Sequence, residues 1–190
     1  MTLQGTSSQT AGPFVHLGTT DKHAVGCLVR DGARGERVDL RCFVWDGDGS
    51  PVTDAVIEIW QADASGKYPH PEDPQHRDAD PEFASFGRLA LDHEGSCTFH
   101  TIKPGPVAGP DGRLQAPHIN VSIFARGLLK RLVTRIYFAG DPNNASDPVL
   151  ALVPENRRET LLAKADPATG CVWRLDIRLC CESETVFFDV

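Results

Sequence analysis

Val38-Asp39-Leu40-Arg41-Cys42-Phe43-Val44-Trp45 alternates apolar and polar side chains, runs into Asp46-Gly47-Asp48-Gly49-Ser50-Pro51, and resumes at Val56-Ile57-Glu58-Ile59-Trp60. Period-two alternation puts every second side chain on one face, so both apolar segments predict half-buried strands. The Asp/Gly/Ser/Pro cluster between them is a turn signal, and the two strands are expected to form a hairpin. Working outward, similar segments occur at residues 87–91, 97–102, 119–124, 132–138, 172–179 and 185–188, separated by Gly- and Pro-bearing turns. About seven or eight short strands of this kind predict an all-β fold, a two-sheet β-sandwich. One short helix is expected at residues 155–164, with Leu161 and Leu162 on its apolar side, and the first 20 residues read as an extended arm with a turn at Thr10-Ala11-Gly12-Pro13-Phe14. The polar stretches 61–83 and 103–114 are far longer than ordinary connections of about four to six residues, which marks them as functional or interface-forming loops.

A chain of 190 residues can bury one substantial core, so a single domain over residues 1–190 is expected, with residues 1–20 as an arm at a partner interface. No apolar run approaches the roughly 20 residues that span a bilayer, and residues 1–8 lack the basic and apolar regions of a signal peptide, so a cytoplasmic, membrane-free protein is expected. The net charge of −7, without a basic block, argues against nucleic acid as a partner. An anionic substrate would need a local cation. The six cysteines form no C-x-x-C pair, so reduced thiols are expected, with Cys27, Cys42 and Cys97 packing as small apolar side chains.

His118-Ile119-Asn120 raises the question of chemistry. Side chains at i and i+2 share a strand face, and two imidazoles so placed can hold one metal; here the second is a carboxamide, a poor ligand. His70, Glu72, Asp73 and His76 share the first loop but match no ordinary zinc spacing, and a solvated loop is expected there. A Gly-x-Ser-x-Gly elbow and a phosphate-cradling Gly-rich loop are both missing from the sequence.

Three motifs occur in order: Glu58-Ile59-Trp60-Gln61-Ala62-Asp63 with Gly66-Lys67-Tyr68, then Thr101-Ile102-Lys103-Pro104-Gly105-Pro106, then Ala116-Pro117-His118-Ile119. Together they resemble the signature of the intradiol ring-cleaving dioxygenases, and the likeness covers nearly the whole chain. Iron-bearing chains of that family hold Fe(III) with two tyrosinates and two histidines. The resemblance places those ligands at Tyr68, Val107, His118 and Asn120, so two of the four positions cannot coordinate, and Gln115 stands where those chains carry an arginine. This implies no catalytic iron, and no catalytic residue, in this chain; Tyr68 and His118 are expected to remain as hydrogen-bonded core residues.

Ser8-Gln9-Thr10-Ala11-Gly12-Pro13 and the run from Ala116 to Gly127 resemble the α chains of the family's heteromeric, protocatechuate-cleaving branch. That likeness implies a β chain as partner, holding the Fe(III), with 3,4-dihydroxybenzoate and O₂ as substrates and 3-carboxy-cis,cis-muconate as product. It also implies that Thr10, Gly12, Pro13 and Arg126 contact the substrate at the pocket edge. Two alternatives remain open from the residues: a self-sufficient metal enzyme using Tyr68 and His118, or a non-catalytic binding sandwich.

Overall fold

In the computed structural model residues 5–109 and 111–189 are described, with the side chains of Pro13 and His16 outside that description. Its strands are β1 (Arg37–Trp45), β2 (Val56–Gln61), β3 (Phe86–Ala90), β4 (Ser96–Ile102), β5 (Val107–Ala108), β6 (Leu114–Gln115), β7 (His118–Phe124), β8 (Leu132–Phe138), β9 (Leu162–Ala165) and β10 (Val172–Arg178). Eight of them hydrogen-bond in the order β3-β2-β7-β8-β9-β10-β1-β4, while β5 and β6 form a separate small ribbon. Short β9 pairs with both β8 and β10, so the ladder passes from one layer into the other and the sheets fold over a common core. Leu40, Val44 and Phe99 from one side meet Ile57, Ile59, Ile119, Ile123 and Ile136 from the other. The all-β sandwich expected from the alternation is what forms.

The expected hairpin does not form. β1 pairs in parallel with β10 and antiparallel with β4, whereas β2 lies between β3 and β7. Both strands need their apolar faces on the one core, and residues 46–51 carry the chain from one layer to the other; antiparallel pairing there stops at the Trp45–Pro51 bridge, with the Val52 amide donating to the Val44 carbonyl at 3.0 Å. Residues 155–161 wind as a 3₁₀ helix, and residues 162–165 are strand β9, not helix. Closing the ladder between β8 and β10 satisfies backbone groups that a longer helix would leave unpaired at both strand edges.

An α-helix instead sits in the arm, as α1 (Pro13–Thr20), where the expectation was a turn in an extended segment. Pro13 occupies the first turn, where its fixed φ and missing N–H cost nothing. Residues 185–188 form no strand, although the Phe188 amide donates to the Val133 carbonyl at 2.8 Å. Cys42 and Cys97 are buried opposite one another on β1 and β4, but Cys27 is exposed, contrary to expectation. No helix among the described residues is long and apolar enough to cross a membrane.

Candidate functional site

Strand pairing builds one row across the outward face of the β3-β2-β7-β8 layer. Trp60 on β2 is opposite Asn120 on β7, and Asn120 is opposite Arg135 on β8. Cross-strand partners share a face, so these three side chains stand together. One step along, His118 is opposite Tyr137. The long loops then close over this face. Tyr68 stacks on Trp60 with ring centroids 5.7 Å apart, and Val107 arrives on the β5–β6 ribbon, opposite Gln115. Tyr68, Val107, Gln115, His118, Asn120 and Arg135 thus line a single cavity of about 550 Å³. All four positions singled out as metal-ligand positions converge there.

Asp63 organises the loop that delivers Tyr68. Its Oδ1 accepts from the Ser65 amide (2.8 Å), the Ser65 hydroxyl (2.6 Å) and the Lys67 amide (3.0 Å), and its Oδ2 accepts from the Asp80 amide at 3.0 Å. Burial alone would raise the Asp63 carboxyl, yet these donors outweigh it and hold it below the usual carboxylate value. Asp73 behaves alike: burial pushes up, but the Tyr68 and Gln75 amides and the Lys67 ammonium at 2.9 Å pull it down. A carboxylate depressed in the folded state lends stability above its unfolded value and loses it as pH falls through the folded one. Acidification below about pH 4 is therefore expected to loosen this loop. Fluorescence of the Trp60–Tyr68 stack should report the transition, and Asp63→Asn should weaken its pH dependence.

Asp147 fixes the other wall. Its buried carboxylate accepts from the Ala116 amide (2.7 Å), the Tyr137 hydroxyl (3.1 Å) and the Val149 and Leu150 amides (2.9 and 2.6 Å). The Ala116 carbonyl lies 2.8 Å from His118 Nδ1, and since a carbonyl only accepts, Nδ1 carries the proton and Nε2 keeps its lone pair. Burial, and then the charge of Arg135, lowers His118 to about 4, so the ring is neutral. Burial raises the Tyr68 phenol, partly opposed by Arg135. Asn120 Nδ2 reaches Tyr68 Oη only loosely, at 3.5 Å, and Arg135 Nη1 donates to Gln115 Oε1 at 2.7 Å.

A second cavity of about 600 Å³ lies beyond the far end of β7, lined by Thr10, Ala11, Gly12, Asp54, Phe124 and Arg126 among others. Thr10 Oγ1 accepts from the Gly127 amide at 2.7 Å and ties the arm to the strand end. Arg126 Nε meets Asp54 Oδ2 at 3.0 Å, with the Arg126 side chain 80% exposed. A guanidinium carries five N–H donors, so the exposed Arg126 keeps donors for a further carboxylate beside Asp54. Thr10, Gly12 and Arg126 are therefore brought together; Pro13 adjoins them in α1, its side chain outside the described residues. At about 3.3 Å per residue, Arg126 lies roughly 20–25 Å from His118.

A family model described as dioxygenase matches residues 10–180. The protocatechuate 3,4-dioxygenase alpha chain of Pseudomonas putida is 44% identical over 98% of this chain and 97% of that one. The protocatechuate 3,4-dioxygenase beta chain of Burkholderia cepacia is 38% identical over 78% of this chain and 64% of that one. The chain belongs to the intradiol ring-cleaving dioxygenase family. Among solved structures, the dioxygenase domain of a dioxygenase–carbohydrate-binding fusion from Streptomyces sp. SirexAA-E superposes on this intradiol chain with a TM-score of 0.62, at 26% identity, covering 85% of this chain and 88% of that one.

Intradiol dioxygenases are iron-dependent, so the first cavity must be judged as an iron site. It does not fit one. Of the four ligand positions only Tyr68 and His118 offer good donors; Val107 offers none, and Asn120 is a weak one. Although His70, Glu72 and Asp73 also line the cavity, no three His, Cys, Asp or Glu side chains among the described residues are grouped to hold a metal ion. Arg135 adds a fixed positive charge beside the place where a trivalent cation would sit, and like charges at such range repel strongly. Arg135 and Asp147 were not foreseen as site residues. The single charge in the run Leu132–Phe138 was the available signal for Arg135; nothing local marked Asp147.

Proposed function

We propose that this chain is the α subunit of a protocatechuate 3,4-dioxygenase, forming one domain over residues 1–190 whose arm (residues 1–20) lies at the interface with a protocatechuate 3,4-dioxygenase beta chain. The β chain holds the Fe(III), and this chain completes the substrate pocket with Thr10, Gly12, Pro13 and Arg126. One observation carries the proposal: the arm cavity and the disabled metal cavity sit at opposite ends of β7. Residues some 20–25 Å away cannot serve this chain's own remnant, so they are placed to serve a site contributed by another chain.

In that pocket 3,4-dihydroxybenzoate is opened between its hydroxylated carbons to 3-carboxy-cis,cis-muconate. Both atoms of O₂ enter the product, so no external reductant is consumed. Arg126 meets the substrate carboxylate through its Nη donors, a charge-assisted contact that offsets the repulsion expected from a chain of net charge −7. Gly12, extended at φ −90° and ψ 174°, lets the backbone lie against the ring, and Pro13 starts α1 and fixes the direction in which the arm leaves.

Arg126→Ala in the co-expressed complex is expected to raise KM for 3,4-dihydroxybenzoate about tenfold, with kcat and iron content changed far less, because a contact made equally in ground and transition states is lost. Equal loss of iron and activity would place Arg126 in assembly instead.

A further inference from the structure

We propose that the disabled metal cavity is itself a binding site for a small planar aromatic carboxylate, with Arg135 as its anchor. Four observations carry this. The cavity has room, at about 550 Å³, and its wall includes the parallel Trp60–Tyr68 pair, with rings 12° from coplanar, against which a flat ring can lie. Arg135 has only neutral partners: Gln115 takes one N–H, and no carboxylate pairs with it among the described residues. A half-buried guanidinium without a counter-ion is a ready anion site. The phenol of Tyr68 and the amide of Asn120 meet at a loose 3.5 Å, so both can turn to a ligand. Finally, His118 Nε2 presents a lone pair from the cavity wall, which suits a ligand hydroxyl and not a second carboxylate.

The acidic groups nearby do not cancel Arg135. Asp73 is spent on Lys67 at 2.9 Å and Glu58, which lines the neighbouring cavity with Arg135, on Arg88, while Glu72 and Asp189 are exposed. The ligand class follows: one carboxylate for Arg135, one aromatic ring for Trp60 and Tyr68, one hydroxyl for His118. This site is independent of the arm cavity and of the function proposed above, since every group in it belongs to this chain.

The test is equilibrium dialysis of radiolabelled 4-hydroxybenzoate against the co-purified complex. A single hydroxyl denies this probe the adjacent pair between which the ring would open, so binding is read without turnover. Arg135→Gln removes the charge and keeps a polar side chain. Ala108→Trp, at the exposed cavity rim, blocks entry without touching the interior and covers the case in which Arg135→Gln fails to fold. The proposal expects each variant to lose one bound probe per copy of this chain, or to weaken that site at least tenfold. Binding of the probe by both variants with wild-type stoichiometry and affinity would overturn it. The other outcome of the count, a single site per complex lost only with Arg126→Ala, overturns it as well while leaving the pocket-edge role intact.

Discussion

Combining Val107→Tyr, Asn120→His and Arg135→Gln is expected to give this chain's cavity the capacity to bind about one Fe(III) per copy. The donor geometry already exists in outline. His118 and Asn120 share the outward face of β7, Tyr68 Oη lies 3.5 Å from the Asn120 amide, and Val107 lines the same cavity on the β5–β6 ribbon. His118 also holds the tautomer that frees Nε2 for a metal, fixed through Ala116 by Asp147. The third change is the decisive one. With Arg135 kept, its guanidinium remains across β7–β8 from the new imidazole, and the double variant is expected to bind at least tenfold less iron. Metal analysis, with the visible charge-transfer absorption of tyrosinate on ferric iron, reads both variants. A folded triple variant that takes up no iron would show that the backbone of the cavity has also moved away from a ligating arrangement.

The largest loss of stability is expected from Gly66→Ala. Gly66 is buried at φ +81°, and a Cβ there would fall inside contact distance of the Pro106 carbonyl oxygen. The facing glycine is equally confined: a Cβ on Gly105 would lie 2.5 Å from both the Ala64 carbonyl oxygen and the Gly66 amide nitrogen. The two long loops therefore meet backbone to backbone, and the contact holds both Tyr68 and Val107 over the sheet. A left-handed conformation costs a residue with a side chain roughly 1–2 kcal/mol. Forcing an atom into filled space adds roughly 1–3 kcal/mol, for a total of about 3 kcal/mol, read as a lower urea midpoint. Gly49→Ala is the control: φ is +82° but nothing lies within 4 Å of its Cβ, so only the conformational cost, about 1 kcal/mol, is expected. Equal losses at the two positions would mean that the loops give way to each other easily.

These two cases also show what a linear sequence can and cannot express. Alternation in residues 38–45 and 56–60 reveals that each strand has one buried face, because that property is local. It does not reveal the partner, and so β1 lies between β10 and β4 where a hairpin with β2 was expected. Residues 155–164 carry good helix formers, yet residues 162–165 are claimed by the ladder between β8 and β10, a demand set by strands far away in sequence. In the arm, Pro13 falls within the segment expected to turn, although proline equally suits the first turn of a helix, where it lies. The site divides in the same way. The family resemblance places ligand positions at Tyr68, Val107, His118 and Asn120, and these four residues do share a cavity. Arg135 enters that cavity only because register sets it opposite Asn120, and Asp147 supports its wall from behind only because its loop folds back to the Ala116 amide.

The most direct measurement is iron per polypeptide. The complex is co-expressed, its chains are separated under conditions that retain tightly held ferric ion, and each is assayed for metal and for O₂ uptake with 3,4-dihydroxybenzoate after recombination. The account predicts iron on the partner alone, almost none on this chain, and full uptake only when the two are rejoined. About one firmly held iron per copy of this chain, purified without any partner and consuming O₂ on the same substrate, would contradict it.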